Sequence, residues 1–214
     1  MQYNAFMIKS HLRDLPQAFC WTRFGTEAGE PIEQILRRKE VERCANNGVF
    51  FWGVGNSVAP GMAKLIKRTD RPEVLFSPIR GRPRRVDTNP ACIVEWTEGE
   101  TLFGSRFELP KTVAIKSRGD ALALKVPHYA LVCSREDPLE MSDLGRLSIY
   151  ALRNLLSGNA LGASQVTAIV IRTNEQITDG ATYPITLRAA LVAPYFIRLR
   201  NPVLLEDGEE ALVA

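Results

Sequence analysis

Three sets of residues in this 214-residue chain have types and spacing suited to chemistry. The first is acidic. Glu27 lies in the glycine-flanked turn after Trp21, and Asp120 follows Arg118-Gly119. Cleavage of an N-glycosidic bond needs stabilisation of an oxocarbenium-like sugar and an acidic group that positions or activates water. Asn56 can both donate to and accept from a base edge, so the candidate catalytic residues are Glu27, Asp120 and Asn56. Both carboxylates also suit ordinary turn and capping roles. The second set is nucleophilic. Gly55-Asn56-Ser57-Val58-Ala59 approximates a nucleophile elbow, and Asp120 and His128 follow in the chain order of an α/β-hydrolase triad. Ser57, immediately before a proline-led helix, is equally suited to cap it.

The third set is basic. Residues 64–85 hold Lys64, Lys67, Arg68, Arg71, Arg80, Arg82, Arg84 and Arg85 against only Asp70 and Glu73, although the whole chain has a formal charge of +3. In Arg80-Gly81-Arg82-Pro83-Arg84-Arg85 the guanidiniums repel one another unless anions sit among them, and their planar forks suit phosphate. Lys64, Arg80, Arg82, Arg84 and Arg85 are therefore expected to hold a nucleic-acid backbone. A solvated surface without a partner is the alternative for the lysines.

Beside this segment, Gly48-Val49-Phe50-Phe51-Trp52-Gly53-Val54-Gly55-Asn56-Ser57 reads as a buried strand that breaks at glycines into a polar loop. Glycines let a backbone approach a ligand and aromatic rings can stack on a base. The expected base-binding residues are Trp52, Phe51, Ser57 and Trp21. Strand alternation turns Phe51 away from Phe50 and Trp52, so at least one of the three belongs to the core. A dinucleotide fingerprint fails here, because Val58 stands where the third glycine belongs and no acidic residue ends the next strand. No G-K-[ST] follows either, which excludes a Walker-type loop. The pocket loop contains no lysine, which argues against an imine-forming mechanism and for a monofunctional one.

Composition bounds the remaining classes. At 45% apolar and 24% charged residues the chain is an ordinary globular protein. It has no apolar run of membrane-spanning length and no secretory leader pattern, so a cytoplasmic location and no membrane partner are expected. Cys20, Cys44, Cys92 and Cys133 form no C-x-x-C pair, and the histidines are His11 and His128 alone. No disulfide framework, metal or cofactor is expected.

A strand at 18–24, a helix at 30–44 closed by Asn46-Asn47-Gly48, the strand at Val49, a helix begun by Pro60 and a strand at 73–79 make up the first half. Ile32, Ile35 and Leu36 define that first helix's inner stripe, with Arg37, Arg38, Lys39, Glu42 and Arg43 on its wet face. Pro78 marks an edge or strand end. Strands follow at 91–97, 112–116 and 127–133, then a third helix at 148–156, then strands at 165–172, 185–192 and 195–205. The acidic 206–210 reads as a solvated tail. This pattern predicts an α+β fold with a curled or closed antiparallel sheet and about three helices.

Cys20-Trp21 in an early strand, the helix end at Asn47-Gly48, and Val49-Phe50-Phe51-Trp52 together resemble the PUA-like superfamily, in particular its EVE and ASCH branches. Ala91-Cys92-Ile93-Val94-Glu95-Trp96 and Tyr195-Phe196-Ile197-Arg198-Leu199-Arg200-Asn201-Pro202 resemble its later barrel strands. The resemblance covers about half the chain and implies one domain over 1–214, with an insertion around 106–143. It also implies binding of RNA or modified DNA with one extruded base in a pocket. The expected function is capture of a modified base in DNA, with RNA as a second possible partner, and its removal by N-glycosidic hydrolysis, directed at modified foreign or phage DNA. A non-catalytic reader and a serine hydrolase using Ser57, Asp120 and His128 are the alternatives.

Overall fold

The fold is given by a computed structural model that describes residues 15–25, 31–79, 91–110, 113–117, 119, 124, 126–173 and 182–205. Its first strand, β1 (Ala18–Gly25), is buried along nearly its whole length. Parallel pairing with β3 (Glu73–Ile79) and antiparallel pairing with β10 (Thr167–Arg172) leave β1 no open edge. A strand covered on both faces reads as a continuous apolar run, which is what Ala18-Phe19-Cys20-Trp21 supplies. Cys20 and Phe24 point into one core cluster, and Phe19 and Trp21 into another.

Helix α1 (Ile32–Ala45) follows Pro31, and the chain leaves it through Asn47 (φ 51°) and Gly48 (φ 89°), the left-handed residues that the helix end requires. It leads into β2 (Val49–Val54), the edge strand of the main sheet. A short 3₁₀ turn at Asn56–Val58 then opens α2 (Ala59–Ile66), with Pro60 in its first turn. Val58 holds the cap position and no side chain caps α2, so Ser57 does not serve as the cap its sequence position suggests.

Gly61 sets how closely α2 lies on β10. A Cβ there would stand 2.7 Å from Ile169 Cγ1 and 2.9 Å from Ile169 Cβ. Because Ile169 Cβ is fixed to the strand, Gly61→Ala must lift α2, and we expect a loss of about 1–3 kcal/mol. Urea denaturation reads this directly, and an unchanged midpoint would show that the contact relaxes freely.

The second half of the chain builds two arms onto this frame. β4 (Ala91–Thr101) carries the short β5 (Arg106–Phe107) and β6 (Val113–Ser117) along one edge. β7 (His128–Ser134) lies between β2 and β12 (Leu187–Leu205). The segment 106–143 therefore contributes an interior strand of the sheet through β7, not only an appended loop. β12 pairs with β3 at residues 187–190, with β7 at 190–199 and with β4 at 197–205. Its pairing with β7 shifts between Leu191 and Phe196, where Tyr195 adopts φ 66°. The shift reverses the alternation, so Leu187, Ala189, Leu191 and Phe196 enter the first core cluster while Ile197 and Leu199 enter a third.

The main sheet is mixed, running β2-β7-β12-β3-β1-β10-β9, and the pairing among the described residues does not close it. The chain is thus α+β, with two α-helices among the described elements and a parallel β1–β3 pair in place of an all-antiparallel sheet. Pro78 sits at a strand end as expected, beyond Phe76, where β12 has left β3.

The third helix expected at 148–156 does not form. That stretch is β8 (Arg146–Ser148), a 3₁₀ turn at Ile149–Ala151 and β9 (Leu152–Asn154), which pairs with β10. β8 in turn pairs with β11 (Thr182–Pro184). A window of nine residues is short for a helix to hold itself, and strand pairing on the open side of β10 wins. The Asn154 side chain then accepts the N–H groups of Leu156 and Ser157, closing a turn before Gly158 (φ 73°).

Candidate functional site

α1 packs against both β2 and β6, so it bridges the two ends of the arm β2-β7-β12-β4-β6. A cavity of about 260 Å³ lies between this helix and the arm. Phe51, Trp52 and Gly53 of β2 form one wall, and Trp96, His128, Ala130 and Leu199 form another. Arg23, Phe24 and Gly25 at the end of β1 and Ile79 at the end of β3 complete the rim.

Trp52 stands edge-on to both Phe24 (5.7 Å) and Phe76 (4.7 Å), and packing on two sides fixes its ring. Trp96 stacks on the His128 imidazole at 5.3 Å with an interplanar angle of 12°. Gly53 lies against the Nε2 end of that imidazole, where a Cβ would approach Nε2 to 2.7 Å. The site is therefore a rigid, ring-lined slot.

α1 presents Ile35, Arg38, Lys39 and Glu42 to the cavity. Their spacing of three, four and seven residues places them on one helical face. Lys39 and Glu42 are buried, at 8% and 1% exposure, and Lys39 Nζ donates to Glu42 Oε2 at 2.6 Å. The other carboxylate oxygen, Oε1, is also buried, and the Phe51 backbone N–H of β2 favours the charged carboxylate. Burial lowers the Lys39 ammonium pKa against the pull of Glu42, and burial raises the Glu42 pKa against the pull of Lys39.

These two residues were expected on the wet face of the helix and are the inward ones. Charge suggested solvent, whereas continuation of the Ile32, Ile35, Leu36 stripe by three and four residues reaches Lys39 and Glu42. The periodicity was the signal that could have found them. α1 is held in place from its far side, where Glu40 accepts Arg43 Nε and Nη2 (2.8 and 2.7 Å) and the Leu139 backbone N–H (2.9 Å). These bonds, Arg43's first, pull the Glu40 carboxyl down to about 2.

The other expected residues are dispersed. Phe51 and Trp52 reach the cavity, while Phe50 is core, so all three aromatics of β2 are buried but two still face the slot. Trp21 is fully buried away from it, with Nε1 donating to Ser77 Oγ at 2.9 Å and its ring edge-on to Tyr183. That internal partner is what lets an indole be buried completely. Ser57 lines a neighbouring groove of about 420 Å³ with Gly55, His128, Gln165 and Thr167, and Gly53 and His128 border both spaces. Asn56 is exposed in the 3₁₀ turn. Lys64 Nζ donates to the Leu155 carbonyl at 2.9 Å, so its ammonium fastens α2 to the turn after β9. Glu27, Asp120, Arg80, Arg82, Arg84 and Arg85 lie outside the described residues. Arg80 nevertheless follows rim residue Ile79 by one peptide bond.

Comparison with protein-family models, with curated proteins and with solved structures gave no match. No helix among the described residues is long and apolar enough to cross a membrane, and no cluster of His, Cys, Asp and Glu among them could hold a metal ion.

Proposed function

We propose that this chain binds DNA through its arginine-rich segment, receives one extruded modified base in the slot between Trp52 and Trp96, and cleaves its N-glycosidic bond. The supporting observation is the coincidence of a ring-lined cavity with the rim strand from which Arg80-Gly81-Arg82-Pro83-Arg84-Arg85 departs. At about 260 Å³ the cavity is slightly below the usual range of ~300–1,000 Å³ for small-ligand sites. It suits one flat heterocycle better than a longer ligand. Extruding a base costs a few kcal/mol of stacking and pairing, which stacking in the slot and phosphate contacts outside it offset. The slot wall holds a buried, hydrogen-bonded lysine–glutamate pair, and that favours cleavage over mere retention of the base.

The test is incubation with duplexes carrying natural and modified bases, with mass spectrometry of released bases and intrinsic tryptophan fluorescence as the binding signal. Release of a free base together with an alkali-labile site supports excision. Retention without release supports the reader, and neither result rejects both. Replacing Arg82 and Arg84 by Ala is expected to reduce the salt slope of binding by about two. An unchanged slope would remove the arginine segment from the interface.

A serine hydrolase remains a second reading because Ser57 and His128 line one groove. A fluorophosphonate that labels Ser57 in the native protein but not in Ser57→Ala would favour it.

A further inference from the structure

We propose that Lys39 is a covalent catalytic residue, whose amine forms an imine with the C1′ aldehyde of the deoxyribose left in the slot after the base departs. The inference rests on the base-excision reading and changes its mechanism. No lysine occupies the loop after β2, but α1 delivers one from the opposite wall. Lys39 is a wall residue whose side chain retains 11% exposure, while that of its partner Glu42 retains none. Both residues line the cavity, and the carboxylate lies within hydrogen-bond reach of the amine as a proton acceptor.

A purely structural ion pair would account for the 2.6 Å contact. It would not account for the pair's position in the wall of a ring-lined cavity. Burial also makes the neutral amine easier to reach, as an amine nucleophile needs. The groups that act on Lys39 are Glu42, Arg38 on the same helix and the buried Cys133 of β7, and of these Glu42 alone hydrogen-bonds to it.

The step balances without an oxidant or reductant. The Lys39 ammonium passes a proton to Glu42 Oε2. Its freed lone pair adds to the aldehyde carbon, and the carbonyl π pair moves to oxygen. That oxygen takes the proton held by Glu42 and a second proton from the nitrogen, then leaves as water. The C=N bond forms in its place. Ammonium and aldehyde thus give a protonated imine and water, with Glu42 returned to its starting carboxylate state.

The experiment is incubation of the full chain with an oligonucleotide duplex carrying one abasic site, in the presence of sodium cyanoborohydride, followed by peptide mapping. The expected product is a one-to-one adduct mapped to Lys39. Lys39→Arg keeps the buried charge and its partner, so the protein should fold and bind the duplex by tryptophan fluorescence yet give no adduct. Glu42→Gln is expected to slow adduct formation about 100-fold. An adduct on another lysine, or none while the wild-type chain binds the duplex, overturns the imine step and leaves base capture standing. Failure to bind the abasic duplex also overturns the imine step, and base capture is judged separately on the duplexes carrying modified bases.

Discussion

Glu42→Ala should lower the unfolding free energy by about 3–5 kcal/mol, the range typical of removing one partner from a buried ion pair. The substitution leaves the Lys39 ammonium facing Arg38 and the apolar wall of Phe51 and Trp52 with nothing to receive its proton. Its folded-state pKa would then fall further below that of the unfolded chain. The unfolded state would bind the extra proton, so the stability of Glu42→Ala should rise as pH increases towards the ordinary lysine range. Replacing both residues by apolar side chains removes the mismatch. Lys39→Met with Glu42→Leu should therefore be far closer to wild type than Glu42→Ala alone, within about 1–2 kcal/mol. Urea denaturation of the single and double variants measures the coupling. A loss below about 1 kcal/mol in Glu42→Ala would mean that the pair behaves like a solvated surface bridge.

Gly53→Val should abolish base capture while leaving most of the stability intact. Gly53 lies outside the left-handed backbone region, so a side chain there meets no conformational penalty and the effect is steric. The new Cβ would stand 2.7 Å from His128 Nε2 and 3.3 Å from Cε1. The imidazole must turn or slide, and the Trp96 ring stacked on it moves too. Both rings line the slot, so the displaced pair occupies the space proposed for the base. We expect at least a tenfold weaker fluorescence-detected affinity for the preferred duplex, equivalent to about 1.4 kcal/mol. Gly53→Ala should give a smaller loss, because it adds the crowding Cβ without the two further methyl groups of valine. Equal affinities for all three proteins would place the ligand away from the β2–β7 wall.

The first half of the fold was legible because local rules and tertiary packing agree there. Pro31 and the Asn46-Asn47-Gly48 ending bracket α1, and Pro60 marks the start of α2. The expected third helix failed because Ile149, Leu152 and Leu155 satisfy a spacing of three without being on one face. Ile149 and Leu152 belong to one core cluster, and Leu155 to another across the sheet. Strand pairing with β10 decided the matter, and its partner lies more than a dozen residues away. Trp52 lines the cavity, whereas nothing local distinguishes it from Trp21, whose role depends on meeting Ser77 from another strand. Lys39 and Glu42 were overlooked because their charge outweighed their periodicity.

β12 has a consequence for the order in which the molecule can be made. It is the shared neighbour of β3, β7 and β4, yet it is the last described strand in the chain. A ribosome that has released residues up to 186 has produced three strands still lacking a hydrogen-bonded flank. Their exposed N–H and C=O rows are open to mispairing with any other extended segment. β12 is therefore the keystone of the described sheet, and the nascent chain must be kept from foreign partners until that ribbon emerges.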